Sequence, residues 1–334
     1  MSVKKIALVT GGYSGESVIS YRTAKTIEQH LDVSLFKTYL IDITKEGWFY
    51  VDAQKNKSYV DKNDFSITLE GKKITFDAAF IALHGTPGED GKLQGYFEML
   101  NIPYTSCDAT TSALTFNKRY TTAVAGAAGI SVAQSVLLID GALENWEERV
   151  AHLRFPVFVK PNNGGSSIGM SKVLSGGEPL RQALAKALKE DTQVLIEEMI
   201  QGREFTVGVF RANGEVVVLP ITEVVADADM PFFDFVAKYQ GKSTETTPAN
   251  IEETTAAKIR GAARQVYQSF NCRGVVRIDF IYQEQEGRPY MLELNSIPGQ
   301  SEASIIPQQV QSKGWTLSSF YTQLLQDCLS SSSK

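Results

Sequence analysis

Gly274-Val275-Val276-Arg277-Ile278-Asp279-Phe280 and, shortly after, Tyr290-Met291-Leu292-Glu293-Leu294-Asn295 are two short apolar runs with charge set into them. Their Val, Ile, Phe and Tyr content marks strands, and the polar stretch 283–287 between them reads as a turn, so the pattern predicts a hairpin. Residues two apart in a strand face the same side. Arg277 and Asp279 therefore share a face, as do Glu293 and Asn295. Pairing the strands gathers an arginine, two carboxylates and an amide on one surface. Hard oxygen donors of this kind suit Mg²⁺, which is usually held by one or two carboxylates plus substrate phosphates. A salt-bridged sheet face in solvent is the commoner explanation of any single Asp or Glu. The four together, beside Ser296-Ile297-Pro298-Gly299, read as a metal site.

Around this hairpin the chain has the balance of a soluble globular protein. It has 334 residues, enough for two or three domains, with 43% apolar and 21% charged residues. A net charge of -5 gives no footprint for nucleic acid or an anionic membrane. The N-terminal apolar run is too short for a signal peptide, and no stretch approaches the length of a membrane span. Cys107, Cys272 and Cys328 are scattered and odd in number, which suits reduced thiols in a cytosol. His30, His84 and His152 are too dispersed for a histidine metal cluster.

Read along its length, the chain opens with a buried strand, Ile6–Thr10, ending in Gly11-Gly12. A helix with apolar residues at Ala24, Ile27 and Leu31 follows, then strands at Val33–Ile41 and Phe76–Leu83 and a helix around Leu93 and Phe97. This alternation implies a parallel sheet with helices on its faces. Phe116–Ala128 reads as one helix. Phe155–Pro161 is a strand leading into a Gly/Ser loop, Leu180–Leu188 is helical and Val194–Ile200 extended. Asn213-Gly214 joins two strands as a hairpin turn. Glu223–Asn250 reads as a long irregular loop, of a kind uncommon unless functional or disordered. Ala256, Ile259, Ala263, Val266 and Phe270 mark an amphipathic helix.

Three further segments carry chemistry. Asn162-Asn163-Gly164-Gly165-Ser166-Ser167-Ile168-Gly169-Met170 offers N–H groups and hydroxyls without bulk, as a flap over phosphates needs. It is not a Walker P-loop, because Met170 stands where that motif has lysine. Lys160 precedes the loop instead, breaking an apolar strand. Gly11-Gly12-Tyr13-Ser14-Gly15-Glu16 lacks the third glycine of a dinucleotide fingerprint, which disfavours a dehydrogenase. It supports a ligand at the C-terminal end of a parallel strand. His84-Gly85-Thr86-Pro87-Gly88-Glu89-Asp90-Gly91 follows another strand of that sheet; a lone His at a strand end is more often a packing or hydrogen-bonding residue, and this position adds weight to a substrate role for His84.

As a set, in order and over nearly the whole chain, these residues resemble the D-alanine–D-alanine ligases of the ATP-grasp superfamily. The likeness is carried by the Gly11–Glu16 turn and by His84-Gly85 with Gly88-Glu89-Asp90-Gly91-Lys92-Leu93-Gln94-Gly95. It extends to Asn117-Lys118, Phe158-Val159-Lys160-Pro161, Gly165–Gly169 and Glu197 with Gly202-Arg203-Glu204. Ala237-Lys238-Tyr239 with Pro248-Ala249 and the opening hairpin with Pro298-Gly299 complete it. The resemblance implies an α/β chain, α+β in its C-terminal part: an ATP-grasp fold preceded by an N-terminal parallel-sheet α/β domain. It divides the chain into 1–105, binding the first substrate, 106–193, a central ATP-grasp subdomain, and 194–330, a C-terminal subdomain with the metal site and a mobile loop at 224–250.

The implied reaction joins two D-alanines through an acyl phosphate, using ATP and Mg²⁺ (or Mn²⁺, two ions), for peptidoglycan precursor synthesis in the cytoplasm by a homodimer. Asp279, Glu293 and Asn295 would hold the metal. Lys118, Lys160, Ser167, Glu197, Glu198, Glu204 and Lys238 would bind ATP. Arg277 and the Gly299 N–H would hold the oxyanion. Glu16 would take the first substrate's ammonium, His84 would lie near its carboxylate, and Ser304 and Ile305 would meet the second substrate. Glu16, Ser166 and Tyr239 would close the loop over the site, and Tyr239 favours an amine nucleophile over D-lactate. A related ligase taking D-lactate or D-serine second is the alternative, and a catalytically silent nucleotide-binding regulator is a rival of another class. The chain departs from relatives at Ser17-Val18-Ile19, where charged residues are usual before a serine like Ser20, and at Asn117, Phe233, Phe235 and Gln300.

Overall fold

The computed structural model describes residues 3–165, 168–226 and 243–331. Its first part runs β1 (Lys4–Gly11), α1 (Ser17–His30), β2 (Phe36–Ile43), β3 (Trp48–Val51), β4 (Lys57–Asp61), β5 (Ser66–Leu69), β6 (Lys72–Ile74) and β7 (Ala78–Ile81). The strands form one sheet in the order β6-β5-β4-β3-β2-β1-β7. β1 is parallel to β2 and to β7, as the alternation of strands and helices predicts. β2 begins later than its sequence pattern suggests, because Asp32 accepts the Ser34 N–H at 2.9 Å and turns the chain first. β3 to β6 extend the sheet as an antiparallel meander that went unread in the sequence. These strands are short and mixed in character, and rings such as Trp48, Phe65 and Phe76 pack them together.

Next come α2 (Lys92–Met99), α3 (Ala109–Phe116) and α4 (Lys118–Ala127). The helix expected over Phe116–Ala128 is α4, beginning two residues later, and α3 before it went unread in the sequence. Asn117 leaves helical geometry, and its side chain accepts the Tyr120 N–H, which starts a new helix there.

β8 (Ser135–Ile139), α5 (Trp146–Val150), β9 (Val157–Pro161), β10 (Ser171–Val173), α6 (Glu178–Ala187) and β11 (Gln193–Glu198) follow. The strands form an antiparallel sheet, β10-β9-β11-β8. α6 buries Leu180, Ala183, Leu184 and Ala187, one stripe at helical spacing, against it. β11, which spans the expected division at 193/194, pairs within this sheet.

The last part holds β12 (Arg203–Ala212), β13 (Glu215–Val218), β14 (Thr222–Ala226), β15 (Ser243–Thr246), α7 (Glu253–Ser269), β16 (Val276–Gln283), β17 (Arg288–Asn295), α8 (Ile305–Ser312) and α9 (Leu317–Ser331). Its sheet has the order β15-β14-β12-β16-β17, with β13 also on β12. The segment 224–250, expected to be irregular, forms paired strands β14 and β15 at its ends. Thr222, Val224, Val225, Thr244 and Thr246 favour that pleated geometry.

α9 joins the two ends of the chain. Phe320 packs edge-on against Phe210 of β12 at 5.0 Å between ring centres, and Tyr321 against Phe80 of β7 at 5.7 Å. One apolar core therefore runs from the first sheet to the last. Among the described residues no helix is long and apolar enough to cross a membrane. All three cysteines are buried thiols.

Candidate active site

A cleft in two compartments opens where the three sheets meet. The inner one, of about 280 Å³, is bordered by Glu16, His84, Arg277 and Ser304. The outer one, of about 660 Å³, is bordered by Lys160, Glu197, Met199 and Ile281. Glu16, Lys118, Glu204, Asp279 and Glu293 border both, so the two are one continuous site. The outer volume lies within the roughly 300–1,000 Å³ typical of ligand pockets.

The hairpin supplies the shared wall. Arg277 pairs opposite Asn295, and Asp279 opposite Glu293, which brings all four onto the face expected of them. Arg277 donates to Asp279 through Nε at 2.9 Å and Nη2 at 2.8 Å, and its Nη2 stands 3.7 Å from Glu293 Oε1. The Asn295 amide lies 3.4 Å from each carboxylate. Thr206, opposite Asp279 on β12, donates a short hydrogen bond to it. That residue was not singled out in the sequence, since only the β12–β16 register reveals it. Two carboxylates and an amide on one face are the hard oxygen donors that a cation such as Mg²⁺ prefers. Among the described residues no three His, Cys, Asp or Glu side chains gather into a metal-holding group. A cation here would take its remaining ligands from phosphate oxygens, the usual habit of Mg²⁺.

The outer wall follows from strand alternation. Val157 and Val159 of β9 enter the core under α6, which turns Phe158 and Lys160 to the other face. Lys160 Nζ meets Glu197 Oε1 at 2.8 Å, both side chains well buried. This explains the lysine that breaks an apolar run. Glu198 is separated from Glu197 by the same alternation. Its carboxylate is held by Arg154, through Nη2 at 2.8 Å and the backbone N–H at 2.9 Å, so its side chain is committed away from Lys160. Lys118 donates to the Gly164 carbonyl at 2.6 Å, and the Asn162 carbonyl accepts the Lys118 N–H at 3.0 Å. The start of α4 is thereby tied to the glycine loop. Ser166, Ser167, Lys238 and Tyr239 lie outside the described residues.

At the inner end, the loops after β1 and β7 are joined by the Tyr13 N–H donating to the Thr86 carbonyl at 2.9 Å. Glu16, at the start of α1, fits between two glycines. A Cβ on Gly85 would stand 2.7 Å from Glu16 Oε2, and one on Gly165 2.7 Å from Oε1. Only residues without a side chain let this carboxylate reach both the substrate loop and the phosphate loop. Glu89, not chosen from the sequence as a site residue, accepts the Gly85 N–H at 2.8 Å and borders the same compartment. Its place in the Gly88-Glu89-Asp90-Gly91 run was the available signal. Glu89 keeps some exposure to the cavity, yet protein atoms crowd it on every side. That crowding, and then the Glu16 charge, push its carboxyl up to about 8.

His84 is buried, with Nε2 at 3.0 Å from Thr23 Oγ1 and a further bond to the Ile297 backbone. Burial, then the Arg277 charge, push it down to about 4, so it is neutral. Its hydrogen bonds go to protein, tying α1 to the 297–300 turn, while the residue still borders the cavity. Gly299 lies in that turn against Ser304, and Ile305 begins α8 beside it. The Gly208 N–H donates to Gln309 Oε1 at 2.9 Å, which sets α8 over the sheet beside Arg277.

Comparison with known proteins bears on this geometry. Residues 5–107 match the family model for the D-ala D-ala ligase N-terminus, and 124–326 that for the D-ala D-ala ligase C-terminus. The chain is 46% identical over 324 residues to a D-alanine--D-alanine ligase of Flavobacterium johnsoniae, covering 97% of this chain and 99% of the relative. It superposes on the VanG D-Ala:D-Ser ligase of Enterococcus faecalis with a TM-score of 0.86 at 30% identity, covering 97% of this chain and 99% of that one. The D-alanyl-alanine synthetase A of Vibrio cholerae gives a TM-score of 0.85 at 29% identity, with 99% of each covered. With both family segments in order along one chain, on an ATP-grasp fold with a preceding α/β sheet, the protein belongs to the D-alanine–D-alanine ligase family.

Proposed function

We propose that this protein is an ATP-dependent ligase that joins two D-alanines into D-alanyl-D-alanine for peptidoglycan precursor synthesis. The observation that carries the reading is the charged hairpin face of Arg277, Asp279, Glu293 and Asn295 at the junction of the two compartments. A reaction between ATP and an amino-acid carboxylate must bring two anions together, and this junction is where cation and metal-ligating groups meet.

Glu16 binds the ammonium of the first D-alanine in the inner compartment. Lys118 and Lys160, with Lys238, Ser167 and Glu204, bind ATP in the outer one. Glu197 positions Lys160, and Glu198 acts from its backbone, since its side chain is held by Arg154. The γ-phosphoryl group passes to an oxygen of the first carboxylate, giving an acyl phosphate and ADP, a step that is mostly positioning and electrostatics. The second D-alanine, set by Ser304 and Ile305, attacks through its amine and loses a proton, and phosphate leaves. Arg277 and the Gly299 N–H hold the oxyanion of that step, one such donor being typically worth roughly 3 kcal/mol. His84, neutral and tied to Thr23, positions the first-substrate pocket. Asp279, Glu293 and Asn295 would hold Mg²⁺ or Mn²⁺, in two ions, and a metal there supplies positive charge to the phosphate oxygens. Closure by Ser166 and Tyr239 toward Glu16 shields the acyl phosphate from water. The buried thiols suit a reducing compartment, the cytoplasm, and a two-fold homodimer is the assembly we assign, that symmetry being the commonest.

With ATP, Mg²⁺ and D-alanine, the protein should release ADP and phosphate in step with D-alanyl-D-alanine. D-serine and D-lactate should be poorer second substrates at neutral pH. D-serine is the second reading, favoured by the likeness to the VanG D-Ala:D-Ser ligase. Preferential use of D-serine would select it, and no turnover of D-alanine while another acid–amine pair reacts would end the proposal.

A further inference from the structure

We propose that Arg22 binds the carboxylate of the second amino-acid substrate. The inference rests on the ligase reading above and adds to it a residue that sets what the second site accepts. Glu16, Ile19 and Arg22 recur at intervals of three along the start of α1, and all border the inner compartment. That spacing keeps them on one helix face. No charge lies between Glu16 and Arg22, so Arg22 is the first cation α1 offers. The adjacent Thr23 is buried and accepts the Gln300 N–H at 3.3 Å. This bond fixes the helix against the 300–304 turn, whose Ser301 and Ser304 border the same compartment.

Three anion-binding features border that compartment. α8 starts at Ser304, whose side chain caps none of the first-turn N–H groups, so those of Ile305 and Ile306 remain to bind an anion. The Ser304 hydroxyl, 2.7 Å from that of Ser301, is the second. The third is the Arg22 guanidinium, which makes no hydrogen bond or ion pair among the described residues. In that it differs from Arg277, locked in its fork with Asp279. Glu16 and Glu89 gather at Gly85, whereas Arg22 borders the inner compartment together with Ser301 and Ser304. A dipeptide has the same polarity, an ammonium at one end and a carboxylate at the other. A guanidinium recognises a carboxylate through paired N–H donors, and it would do so alike for D-alanine, D-serine or D-lactate.

The test is steady-state kinetics with D-alanine as first substrate and either D-alanine or D-alaninamide as nucleophile; the amide keeps the amine but has no carboxylate. Arg22→Ala should raise the KM of the second D-alanine roughly tenfold or more. The KM values for ATP and the first D-alanine should stay within about twofold, and that for D-alaninamide should not change. Arg22→Lys should recover part of the loss. If D-alaninamide suffers as much as D-alanine, Arg22 merely shapes the helix and the inference is overturned. An unchanged KM for the second D-alanine overturns it too, and leaves the ligase reading intact. If the native protein turns over no D-alanine at all, the ligase reading falls first and this inference falls with it.

Discussion

His84 shows how position inverts the expectation attached to a residue type. A histidine at a strand end beside a substrate site suggests a charge for a carboxylate. Burial and the nearby Arg277 keep this one neutral, down to about pH 4 against its ordinary 6.5. The sign follows directly. Below about pH 6.5 the unfolded chain binds a proton that the folded protein refuses, so stability is complete above that pH and falls between 6.5 and 4. From pH 7 to pH 5 this residue should remove about 2 kcal/mol of folding stability. Urea denaturation of the native protein and of His84→Gln at both pH values measures it as a difference of differences. Equal pH dependence in the two proteins would refute this account. Glu89 escaped the sequence reading for a related reason. Its raised carboxyl depends first on burial among protein atoms and then on Glu16 lying against the same glycine, contacts between residues far apart in sequence.

Among the elements, the break at Asn117 has the clearest consequence. Its side chain accepts the Tyr120 N–H at 3.0 Å and donates to Asn163 Oδ1 at 3.1 Å. One residue thus starts α4, sets Lys118 in the first turn and anchors the glycine loop. Asn117→Ala should lower stability by about 1 kcal/mol through the lost cap, with a higher KM for ATP because Lys118 and the loop lose their common support. Asn117→Asp keeps the cap acceptor and should retain most of that stability. Denaturant midpoints with ATP titrations check both, and an unaltered KM for ATP in Asn117→Ala would separate the cap from the loop. From sequence this helix was expected to start at Phe116, two residues early, and α3 before it went unread. The interruption comes from hydrogen bonds to Asn162 and Asn163, far along the chain.

At the scale of the molecule, the site exists because the first and last sheets share a core. α9 carries that core, with Phe320 and Tyr321 fully buried between Phe210 and Phe80. Phe320→Ala should cost about 3–5 kcal/mol, the usual loss for a buried phenylalanine. Turnover should fall with it under mild denaturant, since the cleft lies between elements that this core holds together. A stability change below about 1 kcal/mol would show that α9 is peripheral. Reading the α/β beginning from strand–helix alternation succeeded for β1, β2 and β7 and failed for the meander of β3 to β6. Each of those strands is short, and its partner strands rather than its own sequence hold it in the sheet.

The sequence by itself determined the hairpin face. Arg277, Asp279, Glu293 and Asn295 lie at intervals of two in strong strand formers, so alternation alone orients them, and a turn between the runs leaves little choice of pairing. The ordered motifs likewise determined the family. Only the tertiary structure decided what surrounds that face: Thr206 beneath Asp279, Glu16 between two glycines, His84 without charge and Arg22 in one compartment with Ser304. Each of these depends on contacts between residues far apart in the chain, where local periodicity carries no information and long-range packing sets distance, burial and charge.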